Sequence, residues 1–120
     1  MREEVLPWWR KAKDDLEKAL ILFRNQKYDG AIFFCQQAVE KGLKTVWFLE
    51  KNKIKKIHDL VELGKEVQLP DHLLNYCKEL TQAYIYARYP DIHKEKNLDV
   101  ISKKFLNYTE EILQWIEKKI

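Results

Sequence analysis

The chain has little of what interrupts helices: its 120 residues include only three glycines and three prolines. Chains rich in these residues form disordered segments or turn-rich folds, so their scarcity favours a helical protein. It also lacks an excess of charge of one sign, since 22 basic and 19 acidic residues leave a net charge of +3. The overall charge does not indicate a nucleic-acid binder, and any electrostatic surface for such a ligand must be local.

Cysteines and long apolar runs are scarce as well. Cys35 and Cys77 match no Cys-x-x-Cys pattern and lie among apolar residues of predicted helices. We therefore expect small buried thiols in a reducing compartment. The sequence shows no clustered His, Cys, Asp and Glu set, so we predict no metal or cofactor. It has neither the apolar run of a signal peptide nor a stretch of membrane-spanning length, and we expect a cytoplasmic protein with no membrane contact.

What the sequence does have is helical periodicity. Apolar residues make up 46% of the chain, enough for one core in a single domain of residues 1–120. Their spacing predicts helices from residue 3 or 8 to 24, from 29 to 50, from 59 to 67 (short), from 70 to 88, and from 97 or 99 almost to the C-terminus. Because short connections make successive helices antiparallel, we predict an all-α, antiparallel up-and-down bundle of four main helices plus one short helix.

The second helix is predicted to be central, with Asp29 as its N-cap. One stripe begins with four small residues, which let another helix approach closely: Ala31, Cys35, Ala38 and Gly42. Its remaining polar residues are interpreted as the polar side of a long helix: Gln37, Glu40, Lys41 and Lys44. On the first helix we likewise interpret a group of charges as a mostly solvated face: Lys11, Lys13, Asp14, Asp15, Glu17 and Lys18. His58 is expected at a helix start, satisfying backbone groups there.

Arg88 and His93 are the candidate site, because they lie five residues apart across Pro90. In a continuous helix such side chains point about 140° apart. Pro90 lacks an amide hydrogen and disfavours helix at the preceding residue, so the helix should end there and a turn can bring His93 back beside Arg88. A guanidinium beside an imidazole suits a phosphodiester. The alternative is an arginine that caps helix carbonyls and an unrelated surface histidine.

Three blocks of sequence, taken in order, resemble the HEPN domain family (higher eukaryotes and prokaryotes nucleotide-binding). The first runs from Ala12 to Phe23 and from Tyr28 to Lys44. The second is Lys56-Ile57-His58-Asp59-Leu60, and the third spans Tyr84 to His93. Arg88 and His93 fit the family's signature of an arginine, four to six residues, and a histidine. The likeness covers nearly the whole chain.

The resemblance implies a homodimer with Arg88 and His93 near the dimer cleft, and a minimal nucleotidyltransferase as partner in a toxin and antitoxin pair. It also implies a metal-independent endoribonuclease in active members. Two departures are Tyr89 with Pro90, where catalytic members usually place a small polar residue after the arginine, and Glu95, where modified members carry a tyrosine. These departures leave open a noncatalytic module that binds nucleotides or docks a nucleotidyltransferase, and a purely structural dimer.

Four further residues complete the predicted nucleotide- or RNA-binding set. Tyr89 can stack on a base, and Asp91 follows it in the same family-like segment. Lys55 and Lys56 end the basic stretch Lys51–Lys56 and can contact phosphates. The alternative for these lysines is a solvated loop between helices.

Overall fold

The computed structural model describes residues 3, 5–53, 56–88 and 97–120, with the side chains of Tyr84, Ala87 and Arg88 left aside. This part of the chain contains six helices and no strand: α1 (Leu6–Arg24), α2 (Tyr28–Lys51), α3 (Leu60–Glu66), α4 (Asp71–Leu80), α5 (Ala83–Arg88) and α6 (Leu98–Lys119). The predicted all-α bundle is confirmed. Its short helix is α3, whose inward residues Leu60, Leu63 and Val67 are buried as expected.

Helix α2 is central, as predicted, and packs against α1, α3, α5 and α6. Its small residues explain how α6 comes so close. A Cβ atom at Gly42 would lie 2.8 Å from Ile116 Cδ1 and 2.9 Å from Leu113 Cδ2. Both distances are shorter than ordinary van der Waals contact, so α6 reaches this position because Gly42 has no side chain.

The core is one cluster that joins the apolar faces of the helices. Its largest fully buried side chains are Ile32, Leu43, Leu60, Leu63, Leu80, Leu106, Ile112 and Ile116. Cys35 and Cys77 lie in it as free thiols. Burial raises the pKa of each thiol to about 12, so both stay protonated at neutral pH. The prediction of small buried cysteines is therefore confirmed.

The helix predicted from 70 to 88 is instead two helices, α4 and α5, separated by Thr81 and Gln82. The Thr81 hydroxyl donates to the Cys77 carbonyl oxygen at 2.8 Å, and the Thr81 amide also points to that oxygen at 3.1 Å. The Gln82 amide then donates to Glu79, three residues back, which is a tighter turn than an α-helix makes. After this turn α5 packs on α2.

Asp29 is not the N-cap of α2, contrary to the prediction. The helix begins at Tyr28, because the Ala31 amide already donates to the Lys27 carbonyl at 3.0 Å. Asp29 therefore lies in the first turn, where its Oδ1 accepts from the Gly30 amide. A capping carboxylate does occur at α3: Asp59 Oδ1 accepts from the amides of Val61 and Glu62 at 2.9 and 3.1 Å.

Candidate functional site

An open groove of about 560 Å³ lies where the middle of α2 meets the start of α1 and the connection into α3. Its size falls within the range of roughly 300–1,000 Å³ that is usual for small-molecule sites. The groove is lined by Trp8, Phe33, Gln36, Gln37, Glu40, Lys41, Lys44, His58, Asp59, Leu60 and Thr81. Aromatic, amide, acidic and basic side chains thus share one surface.

A buried ion pair forms the wall of this groove. Glu40 and Lys44 are one helical turn apart on α2, which places them on the same face. Both are only 6% exposed. Lys44 Nζ donates to Glu40 Oε2 at 2.9 Å. Because both side chains are almost fully buried, removing either charge would leave the other buried without a partner, which would destabilise the fold.

His58 completes the cluster from the connection between α2 and α3. Its Nδ1 lies 2.7 Å from Glu40 Oε2 and 3.2 Å from Lys44 Nζ. A carboxylate oxygen at 2.7 Å needs a donor, so we assign the proton to Nδ1. The ammonium and the imidazole then donate to the same oxygen. The other ring nitrogen, Nε2, is left on the exposed side of a ring whose side chain is 74% accessible.

The pKa of Glu40 reflects this cluster. Burial alone would raise it, but the hydrogen bonds from His58 and from Lys44, with their charges, outweigh burial and lower the pKa below its ordinary value of 4.5. Glu40 is therefore a carboxylate at neutral pH. A negative charge held at this place fixes the orientation of the His58 ring.

A chain of amides and lysines continues along the groove from Glu40. Gln36 Nε2 lies 3.5 Å from Glu40 Oε1, and Gln37 Nε2 donates to Gln36 Oε1 at 2.7 Å. Lys41 Nζ in turn donates to Gln37 Oε1 at 3.0 Å. The polar side of α2 is therefore an ordered network rather than a set of independent solvated side chains.

Asp15 contradicts the expectation of a solvated face on α1, because it is only 1% exposed. Lys11, Lys41 and Lys18 surround its carboxylate at 3.1, 3.6 and 3.9 Å. The sequence did contain the signal. Asp15 follows Ala12 by three residues and precedes Ala19 by four, and both alanines are fully buried, so helical spacing places Asp15 on the inward side.

His58 is the residue whose role the sequence analysis missed. It was expected to satisfy backbone groups at a helix start, but Asp59 does this for α3, and His58 contacts Glu40 and Lys44 instead. Nothing in the local sequence links residues 40 and 58. Only the packing of the connection against α2 brings them together.

The predicted pair lies mostly outside the described residues. Arg88 is the last residue of α5, whereas Tyr89, Asp91 and His93 belong to the undescribed range 89–96. Lys55 is also outside the described part. Lys56 is described and exposed; it precedes His58 by two residues but is not among the residues that line the groove. The convergence of Arg88 and His93 thus stays a prediction.

Within the described ranges, no helix combines the length and the apolar character needed to cross a bilayer. The same residues contain no group of three or more His, Cys, Asp and Glu side chains suited to a metal ion. At the groove itself, the Lys44 ammonium is the close neighbour of both Glu40 and His58.

Comparison with known proteins identifies the family. The model of the HEPN domain matches residues 5–119. The crystal structure of TT1696 from Thermus thermophilus superposes with a TM-score of 0.85 at 26% identity, covering 99% of this chain and 100% of that one. The structure of ST0689, an archaeal HEPN homologue, gives a TM-score of 0.78 at 26% identity over 98% of both chains. None of the curated proteins matches significantly. The chain belongs to the HEPN domain family.

Proposed function

We propose that this chain is an RNA-directed HEPN protein, a metal-independent endoribonuclease toxin or a weakly active relative of one. It acts as a homodimer and pairs with a minimal nucleotidyltransferase as antitoxin. The observation that carries the proposal is the family match over residues 5–119, in a chain that retains Arg88 and His93 at the family's spacing. No metal or cofactor has a part in it, since side chains supply the chemistry.

In this proposal His93 exchanges the proton and Arg88 binds the phosphate. His93 takes the proton from a ribose 2′-hydroxyl or gives one to the leaving 5′-oxygen. The 2′-oxygen forms the new bond to phosphorus as the bond to the 5′-oxygen breaks. Arg88 holds the nonbridging oxygens and the charge that develops on them. In a dimer, the pair of one protomer serves as base and that of its partner as acid.

The described structure offers indirect support. Helix α5 has Arg88 as its last residue. Its six residues rise about 7.5 Å along the axis, and it begins at Ala83, two residues after Thr81, which lines the groove. Arg88 therefore belongs to the helix that begins beside the groove. In the sequence, Tyr89 is the next residue after Arg88 and Asp91 is the third, and Lys56 is exposed two residues before His58, which lines the groove.

A second candidate function is favoured by the groove itself. Trp8, Phe33 and two glutamines beside lysines suit a nucleotide that is bound and not cleaved. Tyr89 and Pro90, which depart from the pattern of catalytic members, agree with this candidate. It is the noncatalytic module, which binds nucleotides or docks a nucleotidyltransferase through the same helical scaffold.

Cleavage of a single-stranded RNA by the purified protein, with EDTA present, tests the leading proposal. We expect Arg88→Ala and His93→Ala each to lower the rate by about 100-fold, the usual contribution of a group that stabilises developing charge for Arg88 and of a positioned proton-transfer group for His93. His72→Ala is the matched control, since His72 lies exposed on α4 away from the groove. Cleavage unchanged in both variants would contradict the proposal, and RNA binding without cleavage would select the second candidate.

A further inference from the structure

We propose that the groove on α2 binds the phosphate of a ribonucleotide, that the outer nitrogen of His58 is its ligand, and that Glu40 is the positioning residue. The proposal rests on the proposed RNA- or nucleotide-directed function. It adds to that function a phosphate-binding group separate from Arg88 and His93.

The first support is the way the imidazole is held. His58 is exposed, yet its Nδ1 is fixed 2.7 Å from a buried carboxylate. An exposed histidine without such a contact would sample several rotamers and lose entropy on binding. Here Glu40 orients the ring and directs Nε2 away from the ion pair. A protonated ring donates from Nε2, which is the charge-assisted hydrogen bond that phosphate oxygens accept.

The second support is that both carboxylates of the groove are already engaged by other groups of the protein. The charges of Glu40 and Lys44 offset each other at 2.9 Å, and Asp59 Oδ1 is engaged by the amides of Val61 and Glu62. Three lysines pair with the two carboxylates of Asp14 and Asp15, and one of these lysines, Lys41, lines the groove. The Lys44 ammonium, 3.2 Å from His58 Nδ1, also repels a metal ion.

The third support concerns the rest of the ligand. Trp8 is half-buried, Phe33 is 37% exposed, and both line the groove that contains His58. Aromatic faces stack on bases of any sequence. Gln36 and Gln37 add amide donors and acceptors of the kind that hydrogen-bond base edges. Aromatic, amide and cationic groups within 560 Å³ fit a nucleotide better than a simple anion or an apolar molecule.

Calorimetric titration of the full-length protein with adenosine 5′-monophosphate and with adenosine tests the phosphate contact. We expect the wild type to bind the nucleotide about tenfold more tightly than the nucleoside, as one charge-assisted hydrogen bond provides. His58→Ala should abolish this preference and leave adenosine binding unchanged. Glu40→Gln should reduce it, and Trp8→Leu should weaken both ligands equally. His72→Ala should retain the wild-type preference.

Two further arms make the result decisive. A 5′-phosphorylated oligoadenylate compared with its unphosphorylated form shows whether the phosphate belongs to an RNA end or to a free nucleotide. The NMR signals of the histidine ring nitrogens show whether Nδ1 of His58 carries the proton when it is neutral. Equal affinity for nucleotide and nucleoside, a preference that survives His58→Ala, or no binding of any ribonucleoside 5′-monophosphate at millimolar concentration would overturn the inference. RNA cleavage that depends on Arg88 and His93 is a separate readout, so the proposed function can fail or hold independently.

Discussion

At the scale of single residues, the groove shows why α2 keeps two charges in nearly dry surroundings. Glu40 alone would be costly to bury, and so would Lys44. Together with His58 they satisfy one another, because both cationic groups reach the same carboxylate oxygen. In proteins, replacing a buried ion pair by well-packed apolar residues is often neutral or stabilising. The charges therefore point to a use other than stability.

Replacing Glu40 by glutamine should destabilise the fold in a pH-dependent manner. The pKa of Glu40 is lower in the folded state than its ordinary value of 4.5, so its ionisation stabilises the fold above that pH and this contribution is lost as pH falls through the folded pKa. We expect Glu40→Gln to lower the free energy of unfolding by about 2 kcal/mol at neutral pH. The difference from wild type should shrink toward zero in acid. Urea unfolding at both pH values measures it.

Glu79→Gln is the control for that experiment. Glu79 also pairs with a lysine, Lys104, at 2.9 Å, and that hydrogen bond chiefly lowers its pKa, but its side chain is 45% exposed. Water screens an exposed pair, so this substitution should cost less than about 1 kcal/mol. Equal losses in the two variants would show that burial does not strengthen the pairing at Glu40.

At the scale of helices, the apolar periodicity of the sequence predicted the position of the central helix. It did not predict the features that depend on tertiary packing. The small residues from Ala31 to Gly42 correctly indicated a central α2. The break after α4 was not predicted, because the apolar stripe continues through it and only a threonine hydroxyl marks the turn. His58 reaches Glu40 across 18 positions, and no local pattern encodes a contact between side chains that far apart. The pairing of Arg88 with His93 stays a prediction from motif spacing.

The close contact between α2 and α6 predicts that a larger side chain at position 42 strongly destabilises the fold. Gly42→Val should lower the free energy of unfolding by about 2 kcal/mol, since its first added carbon would already lie 2.8 Å from Ile116 in the core. Gly30→Val in the same helix is the matched control. There a Cβ atom meets only the partly exposed Leu22, at 3.0 Å, and the cost should stay under about 1 kcal/mol. If Gly42→Val were as stable as Gly30→Val, the α2 and α6 backbones would be free to separate.

At the scale of the whole molecule, the same helix that carries the groove also organises the core. One face of α2 packs on α6 while its polar face holds Glu40, Lys41 and Lys44. Strain in the core is therefore transmitted to the site through a rigid element and not through a loop. A single continuous core also implies that the helices are lost together when the chain unfolds.

Leu106→Ala in α6 tests this cooperativity. Leu106 is 2% exposed, and its truncation should lower the free energy of unfolding by about 3 kcal/mol. Three of the four tryptophans, Trp8, Trp9 and Trp47, lie on α1 and α2, so fluorescence reports mainly on helices other than α6. Far-ultraviolet circular dichroism reports on all of them. The two signals should give the same midpoint in the wild type and shift together in the variant, whereas Val100→Ala, at a residue 62% exposed, should shift neither. A fluorescence midpoint that stays in place while the dichroism midpoint falls would show that α6 unfolds separately. Changes in α6 would then leave the groove unaffected.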